Sequence, residues 1–301
     1  MQRIEQEAGP PELPPLDAKG IDQHRRRDYV SFETWLRKRL LTLDRERPQR
    51  WNRDYASLSS YRKSIEPMRN RLKAMLGFWV EPSERPAVRV RNVEILSSAK
   101  DFVARRFRIE IADGLETHAV DMTPNTPGPH PGLVAQHGYG GTPEELCGFT
   151  ANCNSAECSY RSLGLRAVRR GYRVLALYHS AAYGSLETRL LTVPVPRAAG
   201  SSRNGQNRLH RLALLGGGTL LGLFLYASSR GIDFLETTGE IDPNRIAMYG
   251  LSQGGMCTLF LAALDERIRA SVCSGYFCHR LTRLIGSSRS VSYTHLRAHE
   301  T

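Results

Sequence analysis

Lysine is scarce in this chain, although the chain carries a formal net charge of +12. Arginine supplies nearly all of the positive charge, because lysine occurs only at positions 19, 38, 63, 73 and 100. A bias toward arginine, together with much glycine, alanine, leucine and proline, is typical of genes with GC-rich codons. The charge therefore does not by itself indicate a nucleic-acid ligand, and we expect no nucleic-acid partner.

The cysteines lack the spacing of a metal site or of a disulfide framework. None of the six forms a Cys-x-x-Cys pair, and no pair of histidines completes a zinc pattern. Cys257 and Cys273 lie in apolar runs, which predicts buried thiols. Cys147, Cys153 and Cys158 cluster only loosely. We expect no metal and no organic cofactor.

The chain also lacks a long uninterrupted apolar run. Its first residues have no apolar core of the kind found in signal peptides. The longest apolar stretch, 212–227, is interrupted by Gly216, Gly217 and Gly218, and it is shorter than the ~20 residues that a bilayer requires. We expect a buried helix there, no membrane partner and a cytoplasmic location.

The composition of the 301 residues, 41% apolar and 24% charged, is that of a globular chain able to bury a core. Residues 1–28 are polar and rich in proline and arginine, which predicts a disordered tail. Apolar residues at helical spacing predict a helical segment over 29–84 that includes a helix near 58–76. Residues 85–290 are expected to form one domain.

The last residues, 291–301, resemble a translated sequencing adapter. Their back-translation matches the adapter used in transposon-based DNA library preparation, whereas the alternative is an ordinary polar tail. Under the first interpretation this tail is non-native and His295 and His299 have no chemical role. The natural gene is then expected to continue beyond residue 290.

The hydrophobic pattern from residue 87 onward predicts an α/β fold. The alternation of apolar and polar residues shifts by one position near Arg91–Asn92, which predicts a β-bulge. The pair Asp113–Gly114 predicts the turn of a hairpin. Later apolar runs suit parallel strands buried on both faces, and helices are expected between them at 156–170 and 219–236. The prediction is a doubly wound, mostly parallel sheet, truncated after about its sixth strand. The apolar runs are 133–135, 174–177, 246–249 and 270–274.

The strongest chemical motif is Gly250-Leu251-Ser252-Gln253-Gly254, with Gly255 after it. It follows an apolar strand and precedes an apolar helix, as a nucleophile elbow requires. The serine of such a turn has a strained backbone, so its close neighbours must lack bulk. Ser252 is therefore the candidate nucleophile, whereas the alternative is a plain glycine-rich turn that closes the strand.

A second motif, His137-Gly138-Tyr139-Gly140-Gly141, follows the strand that ends near Gln136. A His-Gly turn at this place supplies one backbone N–H to an oxyanion hole, and the residue after the nucleophile supplies another. We expect these donors to be the amides of Tyr139 and Gln253. His137 is a candidate general base, but its ring is expected to pack beneath the loop. By contrast, Gly216–Gly222 has the wrong spacing for a dinucleotide motif, and no strand precedes it.

The two motifs, together with Ile241–Ile246 and Ser274-Gly275-Tyr276-Phe277, resemble the α/β-hydrolase superfamily over roughly 85–285. The likeness is greatest to its acetyl xylan esterase and dienelactone hydrolase-like branch. The resemblance implies hydrolysis of small carboxylic esters, such as acetyl esters, through an acyl-enzyme without a cofactor. Where relatives often place an aspartate, this chain has Tyr178-His179-Ser180.

The order of catalytic residues in this fold is serine, then an acid, then histidine. Asp265 and Glu266 come too early for the acid, and His279 comes too early for the base. The histidines before Ser252 are expected at the surface or at the rim of a pocket. We therefore expect the acid and the base outside this chain, which would leave it nearly inactive.

Two other functions remain open at this point. A serine peptidase of the prolyl-oligopeptidase type shares the elbow, but residues 1–85 cannot build its β-propeller. A non-catalytic binding protein on the same fold would lack the later acid and histidine. The acyl group, the alcohol and the oligomeric state are not readable from the sequence.

Overall fold

The computed structural model describes residues 17–151, 158–179 and 202–278. The strands are β1 (Val90–Ser98), β2 (Phe102–Ala112), β3 (Leu115–Pro124), β4 (His130–Gln136), β5 (Arg173–Leu177), β6 (Ile241–Leu251) and β7 (Ile268–Ser274). The helices are α1 (Ala18–Glu46), α2 (Leu58–Leu76), α3 (Pro143–Cys147), α4 (Leu163–Val168), α5 (Ser202–Leu215), α6 (Leu220–Thr237) and α7 (Gln253–Leu264).

The strands form one mixed sheet in the order β1-β2-β3-β5-β4-β6-β7. The first three strands pair antiparallel, and so do β3 and β5. The pairs β5–β4, β4–β6 and β6–β7 are parallel, so their carboxyl ends meet at one edge of the sheet. The described residues form seven strands, whereas the sequence predicted a sheet that ends after about its sixth strand.

The antiparallel part of the sheet confirms two local predictions. The register between β1 and β2 shifts between Arg91 and Glu94, and Asn92 has a positive φ of 53°, so the predicted bulge is present. The hairpin between β2 and β3 turns at Asp113–Gly114, where Gly114 has a φ of 70°. Glycine suits this turn because it has no Cβ to clash.

Helices cover both faces of the sheet, as expected for an α/β fold, but the sheet is mixed rather than mostly parallel, because three of its six described strand pairs are antiparallel. Side chains from α6 and α7 pack on one face, against β2, β4, β5 and β6. Side chains from α3 and α4 pack on the other face, against β2 to β5. Every residue of β5 is buried, as the continuous apolar run predicts for a central strand.

Two helices, α1 and α4, differ from the sequence prediction. Helix α1 starts at Ala18, capped by the Asp17 side chain, so residues 18–28 are helical rather than part of a disordered tail; residues 1–16 lie outside the described residues. Helix α4 covers only Leu163–Val168, because Arg161 and Ser162 have positive φ angles that a helix cannot contain.

The apolar stretch 212–227 spans two helices rather than one, α5 and α6, which meet at a bend of 91°. Within the described ranges no single helix is long and apolar enough to cross a membrane. Among these residues, only α5 and α6 taken together across their bend have the length and apolar composition of a membrane span. Most of α6 is buried against the sheet, as in the core helix that the sequence predicts.

The glycines of 216–222 serve a packing role. A Cβ on Gly222 would overlap the carbonyl of Leu76, and one on Gly218 would overlap the ring of Phe78. Thr219 donates both its amide and its hydroxyl to the Leu76 carbonyl, at 2.8 and 2.9 Å. The glycines thus bring the start of α6 against the end of α2.

A buried charge network fastens the N-terminal segment to the helices behind the sheet. Arg85 donates to Ser229 Oγ at 2.8 Å and to Asp233 Oδ1 at 3.1 Å. Arg267 binds the same Asp233 at 2.7 Å and binds Asp265 through two hydrogen bonds of 2.9 and 2.8 Å. Burial would raise the pKa of Asp265, but the hydrogen bonds and charge of Arg267 outweigh burial and lower it.

Replacing Asp265 by asparagine should destabilise the fold in a pH-dependent way. Removing one partner of a buried ion pair should lower the free energy of unfolding by on the order of 3 kcal/mol at pH 7. Because the folded pKa of Asp265 lies below the unfolded value of about 3.9, its stabilisation is present above that pH and is lost as the pH falls further. The deficit of Asp265→Asn should therefore shrink below pH 4 in urea titrations.

The exposed hairpin residue Asp113 provides the matched control. Asp113→Asn should change the urea midpoint little at either pH, since exposed substitutions usually alter stability by less than about 0.5 kcal/mol. An Asp265→Asn deficit that stayed constant from pH 7 to pH 3 would contradict the assignment of the pH effect to this carboxylate.

Candidate active site

The elbow residue Ser252 stands between β6 and α7 in a conformation that L-residues rarely adopt. Its φ is 56° and its ψ is −109°. The turn is held by Ser252 N–H, which donates to the Ser274 carbonyl at 2.8 Å, and by Met256 N–H, which donates to the Ser252 carbonyl at 3.0 Å. This is the strained strand-to-helix geometry that the sequence motif predicts.

The glycines around Ser252 are required by close backbone contacts. A Cβ on Gly250 would overlap the carbonyl of Gly254, and a Cβ on Gly254 would overlap the carbonyl of Gln136. A Cβ on Gly255 would lie 2.5 Å from the Ser274 carbonyl oxygen. Each of the three positions therefore excludes larger residues for a steric reason.

The same contacts join the elbow to the loop 137–141. A Cβ placed on Gly138 would lie 3.5 Å from Ser252 Cβ and 3.3 Å from the Leu251 carbonyl oxygen. Gly141 N–H donates to the Gly138 carbonyl at 3.1 Å, which closes a turn around Tyr139 and Gly140. The structure thus brings Ser252, Gln253 and the predicted oxyanion loop to one edge of the sheet.

The ring of His137 fastens this loop to the end of β5. His179 N–H donates to Nε2 of His137 at 3.1 Å, so that nitrogen carries no proton. Nδ1 lies 2.8 Å from the Gly138 carbonyl oxygen and donates to it. Burial lowers the pKa of His137 to about 4. Because both ring nitrogens are engaged, His137 acts as a clamp on the loop and is unsuited to take a proton from Ser252.

Tyr160 supports the loop from the other side. The sequence predicted only that residue 160 lies in a helix. Its hydroxyl oxygen accepts the Gly138 N–H at 2.8 Å. A Cβ on Gly141 would overlap the same hydroxyl. Burial raises the pKa of Tyr160 to about 12, so the phenol stays neutral. The glycine at 141 was the available signal, since it marks a place where another group comes close.

Two further histidines lie deeper than expected. His130 and His179 are buried, whereas the sequence suggested positions at the surface or at a rim. The His179 ring stacks on Phe224 at 4.7 Å between centroids, and its Nδ1 lies 3.6 Å from Cys257 Sγ. Burial lowers the pKa of His179 and raises the pKa of Cys257, so both groups are neutral at pH 7.

The acidic residues after the elbow lie at the opposite edge of the sheet. Asp265 precedes β7 and is tied to Arg267, whereas Ser252 follows β6. A parallel strand of seven residues therefore separates the two positions along the sheet. Across 17–151, 158–179 and 202–278, Ser252 has no hydrogen-bonded histidine, and no group of three or more His, Cys, Asp or Glu could hold a metal ion. His279 and Cys153 lie outside these ranges.

Comparison with protein-family models finds the acetyl xylan esterase (AXE1) family at residues 223–299. The matched range begins in α6, contains the elbow and α7, and extends into 291–299. The interpretation of 291–301 as a non-native tail stays a prediction, because these residues lie outside the described part of the chain.

The Bacillus subtilis (strain 168) protein named "Putative hydrolase YtaP" is 27% identical over 161 residues, which make up 52% of this chain and 48% of that protein. This chain thus spans about half the length of that relative.

Similar solved structures share the fold. A "putative acetyl xylan esterase" from Bacteroides fragilis NCTC 9343 superimposes with a TM-score of 0.59 at 21% identity, covering 77% of this chain and 57% of that one. The acetyl xylan esterase from Paenibacillus sp. R4 gives 0.50 at 20% identity, covering 83% and 70%. The chain therefore has the α/β-hydrolase fold, and its residues 223–299 match the acetyl xylan esterase (AXE1) family model.

Proposed function

We propose that this protein hydrolyses small carboxylic esters, such as acetyl esters, through an acyl-enzyme formed on Ser252. The observation that carries the proposal is the close approach of the strained elbow to the loop 137–141. A Cβ placed on Gly138 would lie only 3.5 Å from Ser252 Cβ. The match of residues 223–299 to the AXE1 family model supports an ester substrate.

In the proposed reaction Ser252 Oγ attacks the ester carbonyl, and the carbonyl oxygen becomes an oxyanion. The amide N–H groups of Tyr139 and Gln253 stabilise that charge. The amide of Gln253 opens α7, where the helix dipole adds positive potential. Loss of one such donor typically costs about 3 kcal/mol of transition-state stabilisation. The alcohol then leaves, and water hydrolyses the acyl-enzyme.

The proposal needs a general base and an acid to orient it. Among the described residues His137 and His179 are buried with lowered pKa values, and Asp265 lies at the far edge of the sheet. We place both groups outside the described residues, C-terminal to Ser252, in agreement with the order serine, acid, histidine. Without them the serine remains protonated and weakly nucleophilic.

A fluorophosphonate probe tests the nucleophile directly. We expect stoichiometric labelling of Ser252 in a product translated from the same gene past codon 290, and labelling slower by on the order of 10⁴-fold or more in the 301-residue chain. Intact mass and peptide mapping locate the adduct. Ser271, an exposed serine of the neighbouring strand β7, gives the matched control variant.

Ser252→Ala should abolish the adduct, and Ser271→Ala should leave it unchanged. An adduct that survives Ser252→Ala would reject Ser252 as the nucleophile. Equal labelling rates in the longer product and in the 301-residue chain would reject the expectation that the base lies outside this chain.

Tyr160→Phe tests the support of the oxyanion loop. In the longer product, removing the acceptor of the Gly138 N–H should lower kcat for p-nitrophenyl acetate about tenfold with little change in KM, because the loop positions a donor that acts mainly in the transition state. Tyr172→Phe, which removes a hydroxyl from another tyrosine packed on the same face, is the control. A parallel loss of kcat and melting temperature in both variants would indicate a purely structural role.

A further inference from the structure

Helix α1 carries an apolar surface that the other described elements leave largely uncovered. None of residues 19–50 is buried. Among the described elements, α1 packs mainly against the short 3₁₀ turn Arg47–Arg50 that directly follows it. The side chains of Phe32, Tyr29 and Trp35 are 74%, 68% and 65% exposed. Large apolar side chains that recur along an exposed helix indicate a surface that another body covers.

The apolar residues of α1 form one stripe. Tyr29, Phe32, Leu36, Leu40 and Leu43 follow one another at intervals of three or four residues, so they lie on one side of the helix. The first three are exposed and the last two are half-buried. At about 1.5 Å per residue this surface, which we name the α1 stripe, is roughly 21 Å long. Helix α1 is thus amphipathic, but its apolar side faces away from the core.

Positive charge surrounds the α1 stripe. Residues 18–53 contain 11 basic and 5 acidic side chains, so this segment holds +6 of the formal net charge of +12. Three of the acidic residues already pair with arginines of the same segment: Glu33 with Arg37, Asp44 with Arg47, and Glu46 with Arg50. The segment therefore complements a surface that is negatively charged outside and apolar beneath.

Two arginines interrupt the pattern that pairing with a second copy of α1 would need. Paired helices require apolar residues at the a and d positions of a heptad. If Tyr29 and Leu36 take a positions, the d positions are Arg25, Phe32 and Arg39. A seam with a second copy would bury both guanidinium groups, which is strongly unfavourable. Both copies would also carry the same excess of positive charge, which opposes association.

The same two arginines suit the surface of a lipid bilayer. An arginine side chain lies with its methylene groups along an apolar surface and extends its guanidinium group to the level of the lipid phosphates. Trp35 lies beside the stripe, and Trp51, which follows the 3₁₀ turn, is 41% exposed. Tryptophan is enriched where membrane and water meet. A helix that lies flat on a bilayer needs an apolar stripe and basic side chains, but not the long apolar run of a spanning helix.

We propose that α1 lies flat on an anionic phospholipid bilayer, with the α1 stripe between the headgroups and the acyl chains and with its arginines bound to lipid phosphates. This inference replaces the sequence-based expectation of no membrane partner, because the exposure of the stripe follows only from the structure. It does not involve the elbow, and it holds whether or not Ser252 reacts with esters.

Co-sedimentation of the 301-residue chain with large vesicles measures this binding. One set of vesicles contains phosphatidylcholine alone, and the other contains an equal mixture of phosphatidylcholine and phosphatidylglycerol. The chain should bind the anionic vesicles at least about tenfold more strongly, because each basic residue near such a surface adds to the attraction. Added salt should weaken the binding. Absence of binding to the anionic vesicles would overturn the proposal, and so would equal binding to both sets.

Leu36→Ser tests the α1 stripe, and Arg39→Gln tests the arginines. Leu36→Ser should weaken binding to the anionic vesicles about tenfold, and Arg39→Gln about fivefold. The matched controls are Leu215→Ser and Arg245→Gln, which alter exposed residues outside α1 and should leave binding nearly unchanged. None of the four substitutions should shift the urea midpoint, because none of these side chains is buried.

Sedimentation velocity without vesicles distinguishes a lipid surface from a second copy. We expect a sedimentation coefficient that Leu36→Ser leaves unchanged. A dimer that Leu36→Ser dissociates would assign the α1 stripe to a second copy and overturn the proposal. Vesicle binding that Leu36→Ser leaves unchanged would also overturn it, because the attraction would then come from charge alone.

Discussion

The candidate site depends on one steric constraint, the near contact between two backbone turns that follow neighbouring parallel strands. Gly254 touches the Gln136 carbonyl, and Gly138 lies against Ser252. No Cβ fits at Gly254, where it would lie 2.3 Å from the Gln136 carbonyl oxygen, so the backbone of the two turns sets the distance between the nucleophile and the oxyanion loop. Strand pairing between β4 and β6 fixes their register, because Gln136 pairs with Gly250. The precision of the site is therefore a property of the central sheet rather than of flexible side chains.

A second group of contacts joins the N-terminal helices to the catalytic sheet. Close approach at Gly222 and the charges around Asp233 both act on α6, one near its start and one near its end. Helix α6 packs directly on α7, the helix that leaves Ser252. The N-terminal segment thus contributes to the rigidity of the helix layer behind the elbow, through packing and buried ion pairs.

Much of this arrangement could be predicted from the sequence because its determinants are local. The elbow, the hairpin at Gly114 and the bulge at Asn92 each follow from short patterns with a steric cause. The hydrogen bond from Gly138 to Tyr160 could not be predicted, because the two residues are 22 positions apart in sequence and no local pattern pairs them. The extent of α1 was underestimated because arginine-rich residues suit both a tail and a helix. Two partners of Asp233, Arg85 and Arg267, come from segments distant in sequence, which no local pattern connects.

The clamp formed by His137 has a consequence for the behaviour of the site in acid. Its Nε2 accepts a hydrogen bond from a fixed backbone amide, so a proton added to that nitrogen would face another donor. Below pH 4 the imidazolium and the His179 amide repel each other, and the attachment between the loop and β5 is lost. Acidification therefore weakens the attachment of the loop by a change at a single ring nitrogen. The carboxylate of Asp265 behind the sheet also loses its stabilising charge as the pH falls below about 3.9, so the loop and the helix layer weaken over neighbouring pH ranges.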